Sequence, residues 1–541
     1  MILLVLFGVA LLVRVAVGTA FAGPAYPDSY YYFSVAHQLA SGHGLSLDYI
    51  WNFVDVGGRL PAQPGLPIAS NAHWMPLASF VQVPFIWLLG PGWLSAGLPM
   101  WLVGAAAAPL AYVIGRDAGF GRQPALIGGL LTAVPGGMTP FLGQPDNFGL
   151  FMTLGATSLW LCARGLRGDR RAFMVGGLVV GLATLSRSDG VLLGIPFALA
   201  GLRELFARPR VVGLAAVFGC AALFILTVAP WLWRQLEVFG SISPSASSGR
   251  ILWIANYGEL FSITSPTTPE RLLANGWGAF LAGRLGGLVS ALAQFALLPL
   301  VIVLTPLAAL GAWLHGHDVT FRPFLVYALA FFAACGLVFA VHVPYGNFIH
   351  SAVALLPHSF VLVVAGIGGA VAWVAARRPT WNVDRATAFF GYGAVAVVIA
   401  GAVVQSFITI GHWSDVRVVQ ARLAAALATV PVGDRVMSAD AGAYRYLSGH
   451  PGVVSPNDDL ATIEDVLRAY DVRWLVLERD SIVPALAPVL SGEVRPAWLS
   501  APVASVSGGG GASASTVPMT PAPAGALYAV CLEPTDERCG P

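Results

Sequence analysis

The chain has 541 residues, of which 57% are hydrophobic and only 10% are charged, and its formal net charge is +2. This composition is too apolar for a soluble globular protein and predicts a polytopic membrane protein. The sequence has no basic cluster with interleaved aromatic residues, which excludes nucleic acid as a partner.

Apolar stretches long enough to cross a membrane recur along most of the chain. They lie at about 1–21, 97–115, 124–142, 147–163, 172–186, 190–205, 211–233, 286–313, 322–341, 350–374 and 387–411. The first stretch ends in Ala-Phe-Ala, which is typical of a signal-peptidase site. Because Arg14 interrupts this stretch and no basic segment precedes it, we expect it to be retained. The sequence therefore predicts a mainly α, transmembrane helical bundle of about eleven spans.

Basic residues indicate which side of the membrane each connection faces. They concentrate near 116–122, 164–171, 203–210, 315–322 and 377–385, which the positive-inside rule assigns to the cytoplasm. Another apolar run, Leu77–Leu89, would reverse this assignment if it crossed, so we expect an interfacial or re-entrant helix there. The C-terminus and three connections are then outside the cytoplasm: 22–96, 143–147 and 234–285.

Asp28 stands at the head of Pro-Asp-Ser-Tyr-Tyr-Tyr, just before an amphipathic helix that we expect from Tyr32 onward along the membrane surface. Its side chain can cap that helix, so an N-cap is one interpretation. Asp146, in Gly-Gln-Pro-Asp-Asn, repeats this situation at the outer end of a helix hairpin. Acids near membrane depth are rare, so the other interpretation is that both carboxylates line a functional site.

Other polar residues also stand at outward helix ends. Arg187 and Asp189 form a short turn, in which they can pair with each other or Arg187 can offer its planar fork to a phosphate. His73 and His350 can each be a satisfied edge histidine or part of the site. We predict that one outer cavity is lined by four residues: Asp28, Asp146, Arg187 and His350.

The composition changes from apolar to mixed and charged after Gly411, which separates a membrane domain, 1–411, from a second domain, 412–541. Short apolar runs alternate with a helical stretch in the second domain, at 435–437, 459–470, 473–477 and 526–532. This alternation predicts a small extracytoplasmic α/β domain. Within it, 505–525 is rich in Gly, Ala, Ser and Pro and is expected to be a disordered insertion.

Cysteines give little further information. The five cysteines show no metal-ligand spacing. Cys531 and Cys539 lie in the tail, where a disulfide and two free thiols are both open.

The order and sidedness of several motifs carry a family resemblance over about residues 1–411. They are Asp-x-x-Tyr-Tyr at Asp28, His-Trp-Met-Pro-Leu at His73, the loop of Asp146, Pro-Trp-Leu-Trp-Arg at Arg234, and a late Leu-Leu-Pro helix after His350. In these motifs the chain resembles the GT-C glycosyltransferase superfamily. More narrowly, it is similar to the branch of the dolichyl-phosphate-mannose protein mannosyltransferases and the lipid A aminoarabinose transferases.

The resemblance implies an enzyme of the plasma or inner membrane that takes a sugar from a polyprenyl-phosphate donor. It would pass the sugar to a lipid, glycan or protein acceptor on the outer face. Asp28 would be the general base or acceptor-positioning group, and Asp146 would be the second acid. The substrate-binding candidates are Tyr31, His73, Arg187, Asp189, Arg234 and His350.

One position departs from the family pattern. Family members have an arginine before the Leu-Leu-Pro helix that helps to hold the donor phosphate, and His350 stands there in this chain. Arg187, Arg14 and Arg234 are therefore the alternative phosphate ligands. One branch of the superfamily uses a divalent metal at its acids and another does not, so no metal ligands are assigned and a divalent metal stays open.

Two other functions stay open from the residues alone. A non-catalytic polyprenyl-lipid-binding or polymer-assembly protein would need a lipid groove but not Asp28. A secondary transporter would show repeated halves and ionisable groups near the midplane, and the sequence has no internal repeat. Sugar transfer from a phosphate needs a base near the attacking hydroxyl and cations near the leaving phosphate. Asp28 and the arginines supply both kinds of group.

Overall fold

The computed structural model describes residues 1–378, 380–507, 523–533 and 538. It divides into two compact units. Unit 1 contains Met1–Gly23, Trp74–Ala246 and Asn275–Gly411, and unit 2 contains Pro24–His73, Ser247–Ala274 and His412–Pro541.

Most described residues are helical. In chain order the α-helices are α1 (Ile2–Ala20), α2 (Pro27–Ala40), α3 (Leu77–Phe80), α4 (Val83–Leu89), α5 (Trp93–Ala105), α6 (Ala107–Asp117), α7 (Arg122–Ala133), α8 (Phe148–Leu166), α9 (Arg170–Ser186), α10 (Gly194–Phe206), α11 (Leu214–Phe239), α12 (Ser248–Ile251), α13 (Pro269–Leu273), α14 (Gly276–Leu297), α15 (Thr305–His315), α16 (Arg322–Ala333), α17 (Asn347–Ala352), α18 (Leu356–Ala375), α19 (Val383–Leu427), α20 (Ala441–Ser448), α21 (Leu460–Ala469) and α22 (Ala487–Leu490). The strands are β1 (Ser46–Leu47), β2 (Tyr49–Ile50), β3 (Ile68–Ala69), β4 (Arg435–Ser438), β5 (Gly452–Val454), β6 (Val472–Glu478), β7 (Leu499–Val506) and β8 (Gly525–Val530).

Within the described residues, six helices are long and apolar enough to cross a membrane. They are Ile2–Ala20, Trp93–Asp117, Leu214–Phe239, Gly276–Leu297, Asn347–Ala375 and Val383–Leu427, and α7 with the bent segment after it would make a seventh. Other predicted spans are shorter, less apolar or interrupted. The predicted count of about eleven spans therefore stays a prediction.

The predicted span 286–313 is one that the structure interrupts. Helix α14 ends at Leu297 and α15 begins at Thr305. Between them Val301 and Ile302 have φ values of 44° and 61°, a conformation that no α-helix of L-residues continues through. The run Leu77–Leu89 is divided into α3 and α4, and it is shorter than the roughly 20 residues that a crossing helix needs.

The core of unit 1 depends on close helix crossings. At the crossing of α15 and α18, a Cβ atom on Gly311 would lie 2.7 Å from the carbonyl carbon of Leu362. A Cβ atom on Gly366 would lie 2.8 Å from the carbonyl carbon of Leu307. The two backbones can approach this closely only because both positions lack a side chain.

Unit 2 is built around one six-stranded sheet in the order β2-β5-β4-β6-β8-β7. Strands β2, β5, β4 and β6 are parallel, and β8 lies antiparallel between β6 and β7. Helix α21 contributes Ile463 and Val466 to one apolar layer, whereas α20 and the end of α19 contribute Tyr444 and Leu423 to the other. Neighbouring strand residues divide between the same two layers, so helices cover both faces, as in a doubly wound fold.

The first loop joins this sheet through β2. Tyr49 and Ile50 pair with Gly452 and Val453 of β5. We expected the loop 22–96 to belong to the membrane domain, but Pro24–His73 forms a compact unit with the C-terminal residues. The reason is backbone pairing by a two-residue strand, which leaves no periodic pattern in the sequence.

The two units divide between Gly411 and His412, where the composition changes, but the ends of two predicted elements in this region differ. Helix α19 does not end near Gly411 but continues to Leu427, because its Ala-rich end favours the helix and packs Leu423 against the sheet. Strands β7 and β8 include the ends of the predicted insertion 505–525, and 508–522 lie outside the described residues. Cys539 also lies outside them.

Candidate active site

Asp146 is buried at the start of α8, with 1% of its surface exposed. Asn147 is the N-cap of this helix, so the interpretation of Asp146 as an N-cap is wrong. Its carboxylate accepts a hydrogen bond from the backbone N–H of Asn147. A carboxylate that ends up inside the protein without capping a helix is costly to bury and is a candidate for function.

Close backbone packing fixes the position of Asp146. The indole N–H of Trp101 donates to the carbonyl oxygen of Gly143 over 2.9 Å, which holds the loop before Asp146. On the other side, a Cβ atom on Gly149 would lie 3.1 Å from the Cα atom of Gly104. The glycines therefore let α8 begin directly against α5.

His350 faces Asp146. Its Nδ1 atom lies 3.8 Å from Oδ2 of Asp146, and its ring centroid lies 4.0 Å from that of Phe148. His350 belongs to the short helix α17, which follows Gly346 in a left-handed conformation with φ of 94°. Glycine adopts this left-handed conformation without steric cost. The turn sets the position of α17 and therefore of the His350 imidazole.

Arg187 and Asp189 are the next members of the same group. Arg187 Nε lies 3.2 Å from Oδ1 of Asp189 and donates to the hydroxyl of Ser351, the neighbour of His350, over 2.6 Å. The turn is fixed by Gly190, where a Cβ atom would lie 2.5 Å from the carbonyl oxygen of Ala183. The pairing of Arg187 with Asp189 is thus observed, and it occurs beside His350.

Four of the predicted residues are therefore brought together within unit 1. We call Asp146, Arg187, Asp189 and His350 the polar cluster. It combines a cation, two acids and an imidazole, and the Arg187 side chain is only 14% exposed. Charges that are this poorly solvated interact more strongly than on a protein surface.

Sequence reasoning missed two members of this region. Ser351 is fully buried and receives the hydrogen bond of Arg187; its position next to His350 was the available signal. Tyr327 of α16 is fully buried and lies within electrostatic range of Arg187 and Asp189. Nothing in the apolar sequence around Tyr327 indicates that its side chain lies near Arg187 and Asp189.

Arg14 and Arg234 make other contacts. The Arg14 guanidinium is buried and donates to the carbonyl oxygens of Ala10 and Ala133 over 2.8 and 3.3 Å. Arg234 lies over the rings of Trp231 and Phe239, at 5.0 and 5.3 Å. Of the three arginines considered for the phosphate, Arg187 is the one that lies beside His350.

Asp28 lies in unit 2, in the first turn of α2. Tyr26 is the N-cap, and the hydroxyl of Ser29 donates to the carbonyl oxygen of Tyr26 over 2.8 Å. The N-cap interpretation of Asp28 is therefore wrong, although a carboxylate in the first turn still suits the helix dipole. The apolar positions Tyr32, Val35 and Ala36 of α2 are buried within the protein, and Tyr30 and Phe33 pack against Tyr446 of α20. That α2 lies along a membrane surface stays a prediction.

Tyr31 and His73 hold the first loop together. The hydroxyl of Tyr31 accepts a hydrogen bond from the backbone N–H of Asn71 over 2.6 Å. Nδ1 of His73 lies 2.9 Å from the hydroxyl of Ser247, and its ring packs against Trp51. That Asp28, Tyr31 and His73 act together with the polar cluster stays a prediction.

Comparisons with known proteins agree on one fold. A family model, dolichyl-phosphate-mannose-protein mannosyltransferase, matches residues 72–233. ArnT from Cupriavidus metallidurans bound to undecaprenyl phosphate is 16% identical, covers 90% of this chain and 94% of its own, and has a TM-score of 0.51. The same enzyme in the apo state is 14% identical, with 97% of both chains covered and a TM-score of 0.52.

This chain has the GT-C fold.

A more distant structure is the oligosaccharyltransferase AglB from Archaeoglobus fulgidus with an inhibitory peptide and a dolichol-phosphate. It is 12% identical, covers 88% of this chain and 69% of its own, and has a TM-score of 0.46. No curated protein sequence matches. The GT-C fold and the family match confirm the resemblance to membrane glycosyltransferases, and the six apolar helices agree with a multi-pass membrane protein.

The donor atoms of the polar cluster fit a divalent cation. Asp146 and His350 present a carboxylate oxygen and an imidazole nitrogen 3.8 Å apart, which are ligand types that such ions accept. A bound ion would supply positive charge for a phosphate oxygen.

Proposed function

We propose that this protein is an integral membrane glycosyltransferase that moves a sugar from a polyprenyl-phosphate donor to an acceptor on the outer face of the membrane. The observation that carries the proposal is the polar cluster, in which the buried Asp146 stands beside His350 and Arg187 within a GT-C fold. ArnT, a structure of the same fold, is bound to undecaprenyl phosphate, which supports a lipid phosphate as the carrier of the donor sugar.

Each group has a role in this reaction. The carboxylate of Asp28 takes the proton of an acceptor hydroxyl, whose oxygen forms the new bond to the anomeric carbon of the sugar. The bond from that carbon to the phosphate oxygen breaks, and its electron pair leaves with the lipid phosphate. Negative charge grows on that oxygen, so a fixed guanidinium such as Arg187 stabilises the transition state.

Asp189 and Ser351 organise the cationic side of the site, and Asp146 is the second acid, facing His350. Asp189 and Ser351 both contact Nε of Arg187, so the guanidinium is oriented before the donor arrives. Orientation that is set in advance lowers the barrier without a cost at the moment of reaction. The proposal requires Asp28 and Asp146 to contact the same substrate.

Sugar transfer by purified protein from a defined polyprenyl-phosphate sugar tests the proposal. We expect Asp28→Asn and Asp146→Asn each to lower transfer by about two to four orders of magnitude, the usual contribution of a positioned acid or base. Donor binding and thermal stability should stay close to those of the wild type, because asparagine keeps the size of the side chain.

Asp459→Asn is the matched control. Asp459 caps α21 through the backbone N–H of Thr462, and asparagine caps about as well as aspartate, so this variant should transfer normally. Near wild-type transfer by Asp28→Asn would contradict the base role of Asp28 and move the catalytic assignment to Asp146. Full transfer by both variants would contradict the assignment of Asp28 and Asp146 as catalytic residues. Donor binding without sugar transfer by the wild-type protein would contradict the enzyme itself and favour lipid binding without chemistry.

A further inference from the structure

The helix that carries Asp28 is held by the C-terminal part of the chain. Within unit 2, the ring of Tyr446 on α20 lies 5.6 Å from both Tyr30 and Phe33. Gly442 of the same helix approaches so closely that a Cβ atom there would lie 3.2 Å from Cβ of Tyr30. The first turns of α2 therefore pack directly on α20.

Arg417 of α19 makes the polar part of this contact. It donates to the hydroxyl of Tyr30 over 2.9 Å and also to the carbonyl oxygen of Pro24. These two partners stand on either side of Asp28 in the sequence. The guanidinium lies over the rings of Tyr30 and Tyr446, at 5.8 and 5.9 Å. A planar guanidinium stacks on aromatic rings better than an ammonium group does.

Contacts one turn away on both helices continue this arrangement. The ring of Tyr26, the N-cap of α2, lies 5.7 Å from that of Trp413 on α19. Asp440 at the start of α20 lies within electrostatic range of Arg417, so the cation has a nearby opposite charge. Arg417, Tyr30 and Tyr446 are called the α2 clamp below.

The far end of α2 has a second, separate attachment. Gln38 donates to Oδ2 of Asp48 over 2.7 Å, and Arg445 of α20 donates to the same oxygen over 2.8 Å. The helix is therefore fixed at both ends. Of these two attachments, the α2 clamp is the one beside the turn that carries Asp28.

We propose that Arg417 is a positioning residue for sugar transfer, which fixes the first turn of α2 through the α2 clamp and thereby places the Asp28 carboxylate. This inference rests on the proposed role of Asp28. Arg417 acts through Asp28 and needs no contact with the donor. Losing it therefore lowers the rate of the chemical step more than it weakens binding.

Kinetics of the full-length protein test the inference with Arg417→Met, Arg417→Lys and Tyr30→Phe. A misplacement of about 1 Å can cost about a hundredfold in rate, so we expect Arg417→Met to lower kcat by roughly ten- to a hundredfold. The donor KM should change by less than about threefold. Arg417→Lys keeps the charge and should recover part of the rate, and Tyr30→Phe, which removes one hydroxyl, should lose less.

A double variant separates positioning from a general loss of structure. In an Asp28→Asn background, Arg417→Met should cause no further loss, because the group that it positions is already gone. Arg468→Met is the matched control, since Arg468 is an exposed arginine of unit 2 that pairs with Glu464, and it should keep the wild-type kcat.

Three results would overturn the inference. One is an unchanged kcat for a folded Arg417→Met; if that variant does not fold, an unchanged kcat for Tyr30→Phe has the same meaning. Another is an equal loss from Arg417→Met with and without Asp28. The third is a loss from Arg417→Met while Asp28→Asn transfers normally, which would refute the base role of Asp28 as well.

Discussion

The crossing of α15 and α18 gives a direct test of the structure, because a single methyl group should force the two helices apart. In Gly366→Ala, the new Cβ atom would lie 2.8 Å from the carbonyl carbon of Leu307 and closer still to its oxygen. The obstacle is backbone, so no side-chain rotation relieves the overlap. The helices must separate, which opens gaps along the rest of their contact.

The expected magnitude follows from that geometry. Overpacking of a close-packed interior costs roughly 1–3 kcal/mol and sometimes more, and the upper part of this range applies when backbone meets backbone. The reciprocal contact of Gly311 with Leu362 would be lost at the same time. We expect a destabilisation of about 3 kcal/mol, which corresponds to a fall in Tm of at least roughly 5 °C.

Gly368→Ala is the control, two residues along the same helix. A Cβ atom there would lie 3.8 Å from Cγ2 of Thr387, an ordinary contact. Alanine favours a helix over glycine by about 0.5–1 kcal/mol, so this variant should be neutral or slightly stabilised. Thermal unfolding of both purified proteins in the same detergent measures the difference. Equal stability of the two variants would refute the close crossing.

Two further predictions concern charged groups. Burial and the nearby charge of Asp440 raise the pKa of Glu478 to about 7; its folded form binds a proton more readily than the unfolded chain, so stability falls as the pH rises from about 4.5 to 7. The free energy of unfolding of Glu478→Gln should therefore exceed that of the wild type by up to about 3 kcal/mol at pH 8 and by nothing near pH 4.5. Thermal unfolding measured across this pH range checks the difference, and equal stability of the two proteins at pH 8 would contradict it. Arg187→Lys should lower the rate of sugar transfer about tenfold, because an ammonium group lacks the planar fork of a guanidinium. Arg164→Lys is the control, since Arg164 pairs with Asp117 near a surface. Equal transfer rates in the two variants would argue against a phosphate at Arg187.

Local patterns were sufficient for several elements. The apolar runs at 435–437 and 473–477 correspond to β4 and β6, and the helical stretch at 459–470 corresponds to α21. The reasoning that acids and histidines at outward helix ends belong together singled out Asp146 and His350, which lie 3.8 Å apart. These features depend on periodicity and on the cost of burying charge, and both can be read from a sequence.

Long-range pairing could not be read in the same way. Strand β2 has two residues, and its partner β5 lies hundreds of residues later, so no local signal indicates that the first loop belongs with the C-terminal sheet. No local pattern indicates the role of Arg417 either, because that role comes from Tyr30 of α2 and from Pro24 just before this helix, both far away in the chain. Such contacts are set by tertiary packing and not by propensity.

The pairing of Ile50 with Val453 also has a consequence for biosynthesis. A ribosome that adds about 5–20 residues per second needs roughly 20–80 s to reach Val453 after it has made Ile50. For most of that interval α2 has been synthesised, but α19, α20 and β5, which complete its attachment, have not. A nascent or truncated chain that stops before α19 thus carries the helix of Asp28 without Arg417 and Tyr446, so assembly of unit 2 waits for the last part of translation.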